Sequence, residues 1–200
     1  SGISQLLLEG RNSFNGVLHY RGFAGILEDM FGGAGGEILY WPVKSRVALG
    51  VSAGYVKQRA FNRRLTFFDY QTVTGFLSAY WATPYYNYDL GVHVGRYLAG
   101  DKGATVELRR TFRNGWQVGV WSTFTDVSSS EFGEGSFDKG FFFKIPLESV
   151  TGSAASAIAT RVRPIQRDGG QRLEDFSGNI FWDLRDTRYD AFKVGRARTQ

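Results

Sequence analysis

The chain contains no cysteine, two histidines, one methionine and four prolines in 200 residues. Without cysteine there is neither a disulfide framework nor a thiolate metal site, and His19 and His93 alone offer imidazole. A zinc enzyme is therefore disfavoured, and no metal or other cofactor is expected. Charge is sparse at 22%, yet 42% of residues are apolar, so disorder is excluded. The abundant residues are glycine, at 26, and aromatics, at 16% of the chain. Glycine weakens helices and aromatics fit a pleated surface, so this composition predicts β-sheet.

The longest uncharged stretch, Tyr70 to Tyr88, contains Gln71, Gly75, Pro84 and Asn87. Its β-branched and aromatic content reads as a strand ending in a turn at Thr83 and Pro84, not as a membrane helix.

Period-two alternation identifies further strands. Val47, Leu49, Val51, Ala53 and Tyr55 alternate with Ala48, Gly50, Ser52 and Gly54, which makes one face greasy and the other small. The pattern returns at 90–95, 104–111, 116–125 and 141–147. Short connections (Pro42–Ser45, Thr83–Tyr86, Arg113–Gly115) alternate with longer ones (Gln58–Gln71, Ala99–Gly103, Asp126–Phe137). That alternation predicts two unlike ends, as in an outer-membrane barrel. Strands of about 9 to 12 residues suit a tilted membrane crossing. Tyr40, Trp41, Tyr55, Trp81, Tyr97 and Trp116, near strand ends, fit aromatic girdles. The mean hydropathy of −0.25 is compatible with this, since such a barrel is apolar only at alternate positions.

These signals predict an all-β fold: an up-and-down antiparallel transmembrane β-barrel with about 8 to 10 strands in this chain, or part of a larger barrel. The chain reads as one domain over 1–200. Within it, 1–35 is an irregular lead-in with a short helix near Ser4–Leu8 and a glycine-rich bend at Phe31–Gly36, 36–163 holds the clear strands, and 164–200 is loop with closing strands. The chain starts at Ser1 without a signal segment, which suggests a mature form or a piece of something longer.

If the apolar parity faces lipid, the interior receives Glu37, His93, Glu107, Arg109, Gln117, Trp121 and Lys144. Trp121 offers a stacking face for a sugar, and Glu107 with Arg109 offers hydrogen bonds to its hydroxyls. The plainer reading has Glu107 and Arg109 in cross-strand ion pairs that fill a plugged lumen. The loop acids Asp126, Glu131, Glu134 and Asp138 read as glycan-contacting or lid residues; they have neither EF-hand spacing nor the rigid support of a catalytic pair. Gly133-Glu134-Gly135 lacks a following Lys-Ser or Lys-Thr and reads as a turn, and no Gly-x-Ser-x-Gly elbow is present. No catalytic residue emerges, and the protein is expected not to be an enzyme.

The net charge of +5 rests on 18 arginines and 6 lysines, and the arginines suit phosphates or carboxylates. Arg59, Arg63, Arg64 and the 161–172 cluster carry no nucleic-acid recognition motif, so lipopolysaccharide phosphate, an acidic polymer or plain solvation is preferred over nucleic acid.

Several stretches resemble the YjbH and GfcD family of outer-membrane proteins, encoded with exopolysaccharide and group 4 capsule genes. They are Tyr55–Arg59, Arg96–Thr105, Asn114–Gly119, Phe124–Val127 and the block Phe132-Gly133-Glu134-Gly135-Ser136-Phe137-Asp138-Lys139-Gly140. Together they span roughly residues 30 to 150. Family chains are several times longer, so the resemblance implies a C-terminal barrel portion or a fragment. It implies a non-enzymatic outer-membrane barrel of a Gram-negative bacterium that takes part in exopolysaccharide or capsule export or assembly. Expected partners are a polysaccharide (neutral or acidic), outer-membrane lipid and lipopolysaccharide, and other secretion proteins. A soluble periplasmic glycan-binding barrel is the alternative, and a polysaccharide-modifying enzyme the third reading. The first two are separated by whether the Val47–Tyr55 apolar face is bare or covered.

Overall fold

The computed structural model describes residues 3–61, 65–127, 138–146, 157–162, 170–173 and 179–185. Ten strands form one antiparallel sheet in sequence order: β1 (Leu6–Phe14), β2 (Leu18–Ile26), β3 (Phe31–Tyr40), β4 (Val47–Arg59), β5 (Phe67–Ala82), β6 (Tyr88–Arg96), β7 (Lys102–Thr111), β8 (Gln117–Thr125), β9 (Asp138–Pro146) and β10 (Ala157–Val162). One helix, α1 (Ile180–Arg185), follows. The all-β, up-and-down prediction holds. Closure does not: among the described residues no ladder joins β1 to β10. Alternation in a sequence tells which way side chains point, whereas closure depends on tilt and shear, which alternation does not encode.

The sheet nevertheless curls tightly. Seven flat strands would spread β1 and β7 about 29 Å apart at ordinary strand spacing. Here β1 (Arg11), β3 (Glu37), β5 (Tyr80), β6 (Asp89) and β7 (Arg109) all touch a single stretch of seven residues, Asn179 to Arg185. The sheet must therefore wrap around α1.

Register gives each face a continuous character. Tyr20, Ile38, Val51, Leu77, Val94, Ala104 and Phe124 are successive partners across β2–β8 and point outward. The inner row, His19, Leu39, Gly50, Ser78, His93, Thr105, Thr123 and Asp138, is mostly small or polar. Apolar groups therefore lie on the convex surface, reversing the arrangement of a soluble sheet. Val47, Leu49, Val51 and Tyr55 are 46%, 55%, 45% and 49% exposed, so the face that separates the two leading readings is bare.

Four expectations need correcting. Residues 6–26 form the hairpin β1–β2 through a turn with Asn15 and Gly16 at positive φ, not an irregular lead-in or a short helix. Phe31–Gly36 is the first half of β3, not a bend. Its glycines serve close strand contact: a Cβ on Gly33 would lie 2.1 Å from the Tyr55 carbonyl oxygen, and one on Gly35 2.5 Å from that of Ala53. Residues 180–185, within the expected closing strands, are helical. Finally, β4 and β5 extend into the supposed 58–71 loop and leave only 60–66 as a connection. The connections 27–30 and 97–101 are no longer than 41–46, 83–87 and 112–116, so loop length alternates less strictly than the sequence suggests.

Of the expected girdle aromatics, Tyr40, Tyr55, Trp81 and Trp116 are exposed. Trp41 and Tyr97 instead turn inward and are buried. Trp41 stacks on Phe181 and donates its indole N–H to the Ser45 carbonyl, while the Tyr97 hydroxyl meets Thr105. Burial pushes the Tyr97 phenol above its ordinary pKa.

Candidate functional site

The inner face holds two clusters. Near the end carrying the 41–46 and 83–87 connections, Leu39, Trp41, Ala48 and Tyr80 pack on Ile180 and Phe181. Phe181 lies nearly parallel to Tyr80, 4.2 Å between centroids at 10°, and 4.5 Å from Trp41. At the other end, Leu27, Val56 and Leu98 pack with Leu173. Two hydrogen bonds hold residues 170–173 there: Leu98 N–H donates to the Gln171 carbonyl at 2.9 Å, and Gly170 N–H donates to Asp101 Oδ2 at 2.7 Å. The later chain thus contacts both ends of the interior.

Local chemistry explains why α1 forms where it does. Asn179 is its N-cap, its Oδ1 accepting the Phe181 N–H at 2.9 Å while its Nδ2 donates to the Tyr80 hydroxyl at 2.9 Å. Ile180 N–H points at Glu37 Oε2, 3.5 Å away. Arg185 Nε donates to Asp89 Oδ1 at 2.9 Å in a buried ion pair. A helix of six residues has too few internal bonds to persist in water, so these attachments hold it. Asn179→Ala removes both the cap and the phenol contact and should cost about 1–2 kcal/mol of local stability. Faster hydrogen exchange at Phe181 and Asp183, with the strand amides unchanged, is the expected readout.

The structure brings His93, Glu107, Arg109 and Trp121 together. His93 Nδ1 meets Ser78 Oγ at 2.8 Å, its Nε2 lies 4.0 Å from Glu107 Oε2, and Arg109 pairs with Glu107. That last pair lies within β7, two residues apart, not across strands as expected. A cross-strand ion pair is instead made by Arg21 and Glu37, direct partners with Nε 2.9 Å from Oε2. Arg109 also stacks on Trp182 at 3.7 Å and on Phe142 at 4.6 Å. Gln117 and Lys144 are partners on the same face, farther along, with Lys144 exposed.

Among the loop acids, Asp126 Oδ1 accepts the Lys102 N–H at 2.9 Å and fastens β7 to β8. Asp138 is buried on the inner face, opposite Thr123. Glu131 and Glu134 lie outside the described residues, as does Gly133-Glu134-Gly135.

Glu107, Trp121, Thr123 and Asp138, with Arg172 and Trp182, line a cavity of about 40 Å³. That holds about three waters and no sugar ring. The plain reading of a filled interior fits this geometry, but the filling is mainly a segment of the chain itself. Sequence reading missed Tyr80, Asp89 and α1. Tyr80 shares parity with Ser78 and Ala82, and Asn179 before Ile180-Phe181-Trp182 has the form of a helix cap, so both left a signal.

A curled antiparallel meander, apolar outside and polar inside, with its own chain seated against the inner wall, defines an all-β protein built on one up-and-down sheet. The chain belongs to the YjbH family: the family described as "Exopolysaccharide biosynthesis protein YbjH" matches residues 1–185. A similar protein is the "Uncharacterized lipoprotein YjbH" of Escherichia coli (strain K12), 46% identical over 157 residues, which cover 76% of this chain and 22% of that protein. The chain thus spans about a fifth of that relative's length. No solved structure matches.

Proposed function

We propose that this chain is part of an outer-membrane β-barrel of a Gram-negative envelope and acts, without catalysis, in exopolysaccharide or capsule export or assembly. The outward row Tyr20, Ile38, Val51, Leu77, Val94, Ala104 and Phe124 carries the reading. Soluble monomers rarely expose contiguous apolar patches beyond a few hundred Å², and a row across seven strands in water is a strong drive to associate with lipid. Strands of 9 to 10 residues, as in β2, β3 and β6–β9, match the length of a tilted crossing. The family's link to exopolysaccharide supplies the cargo, and the inner aromatic and ionic groups suit sugars. Partners would be the polymer, outer-membrane lipid including lipopolysaccharide, and other secretion proteins. A soluble periplasmic glycan-binding module accounts less well for the bare outer face.

These 200 residues contain no cysteine, so single substitutions place probes here once any cysteine elsewhere in the whole protein is replaced. Nitroxides at Val51→Cys, Leu77→Cys and Val94→Cys, in the whole natural protein in lipid vesicles, should be relaxed by oxygen and shielded from a water-soluble nickel chelate. Nickel access at all three positions would end the membrane reading. Loss of the protein should lower surface polymer without changing its sugar linkages; changed linkages would put a polymer-modifying enzyme in place of an export role.

A further inference from the structure

We propose that the slot between Trp41 and Tyr80 is a saccharide-binding site, kept closed by Phe181 of α1, and that it takes neutral sugar units. This rests on the exopolysaccharide reading above and names a site within it. Phe181 is a flat apolar ring held between two aromatic faces, the contact that the C–H face of a pyranose makes. Polar groups around the slot reach the helix: the Tyr80 hydroxyl takes Asn179, Asp89 takes Arg185, and Glu37, paired with Arg21, also faces the Ile180 N–H. When the helix leaves, the Tyr80 hydroxyl, Asp89 and Glu37 each lose a contact to it inside a largely buried wall, Glu37 staying paired with Arg21, and sugar hydroxyls are donors of the right kind to replace those contacts.

The charge of the opened wall sets the ligand class. Arg185 leaves with the helix, so Glu37, Asp89 and Glu107 face Arg21, Arg109 and Arg172. With acids and arginines balanced, the slot offers polyuronate no net attraction and takes neutral sugar. The helix can withdraw because it is short and is held by a few side-chain contacts, and the adjoining cavity already gives the site room to hydrate.

The test uses the whole natural protein in detergent, titrated calorimetrically with cellohexaose and with a galacturonic acid hexamer. Asn179→Ala/Arg185→Gln loosens the helix and leaves the slot intact, so it should bind cellohexaose about tenfold more tightly than the unsubstituted protein, because a larger fraction is open. Adding Tyr80→Leu should abolish the gain, and the uronate should bind more weakly throughout. A second measurement needs no variant: saturating cellohexaose should speed hydrogen exchange at Phe181 and Asp183. Equal affinity in loosened and unsubstituted protein, unchanged exchange at saturation, or preference for the uronate would each overturn the proposal. Calorimetry in detergent does not depend on the bilayer, so nickel-accessible nitroxides would sink the membrane reading while leaving this site standing, and the converse also holds.

Discussion

Gly95→Ala and Gly103→Ala are each expected to destabilise the sheet by about 3–5 kcal/mol, a large effect for a single methyl group. The two glycines are register partners on β6 and β7. A Cβ on Gly95 would fall 1.9 Å from the Gly75 carbonyl oxygen and 2.8 Å from the Phe76 Cα. One on Gly103 would fall 2.0 Å from the Phe124 carbonyl oxygen and 2.7 Å from the Thr125 Cα. These neighbours are backbone and cannot rotate away, so accommodation means parting β5 from β6 or β7 from β8 and losing ladder bonds. The requirement is one of space. Glycines at such points let a sheet bend sharply, and this sheet must bend to reach α1 from β1 through β7. Gly10→Ala in β1 is the control, since its Cβ would meet nothing within 4 Å and should be near neutral. The midpoint of urea unfolding, followed by tryptophan fluorescence, separates the two outcomes. Equal midpoints for the three variants would refute the account of the curvature.

The second large effect is expected from Arg59→Met. Arg59 is fully buried, and its Nη1 donates toward three carbonyls, those of Ile3 at 3.0 Å and of Glu28 and Asp29 at 3.2 Å. It ties the chain start and the β2–β3 connection to the end of β4. Methionine fills much of the volume but donates nothing, which leaves these carbonyls without that donor in a closed site. The expected cost is about 3 kcal/mol, since each abandoned buried acceptor costs about 1–3 kcal/mol and water restores part of it. These three acceptors are neutral, so their share of the loss should persist in high salt. The half-exposed Arg11–Asp183 contact should instead weaken as salt screens it. Unfolding midpoints at low and high salt test both statements, and a salt-sensitive Arg59 effect would contradict them.

Arg59 also marks where local pattern reading stops. The alternation that makes Val47, Leu49, Val51 and Tyr55 outward places residue 59 outward too. The register slips first: Lys57 pairs with Gln71 but Arg59 with Phe67, so residues 68–70 of β5 lie opposite Gln58 alone. Past that irregularity the Arg59 side chain is buried, whereas the sequence suggested a basic loop. Trp41 and Tyr97 follow similar logic. Each directly follows a strand, and only the turn geometry aims their rings inward.

The sequence by itself determined the fold class, the two faces of the sheet and the family, because a period of two over nine or more residues, and motifs such as Phe-Gly-Glu-Gly-Ser-Phe-Asp-Lys-Gly, are local properties. It also placed Glu37, His93, Glu107, Arg109 and Trp121 on the inner face, since parity alone settles that. Only the tertiary structure decided that no ladder joins β1 to β10 among the described residues, that glycine-rich β3 is a strand, and that Ile180–Arg185 is a helix seated against Tyr80 and Trp41. Those outcomes depend on contacts between residues far apart in the chain, such as Asn179 with Tyr80 and Arg185 with Asp89. No short window of sequence encodes them, because the same six residues would not stay helical without the wall that receives them.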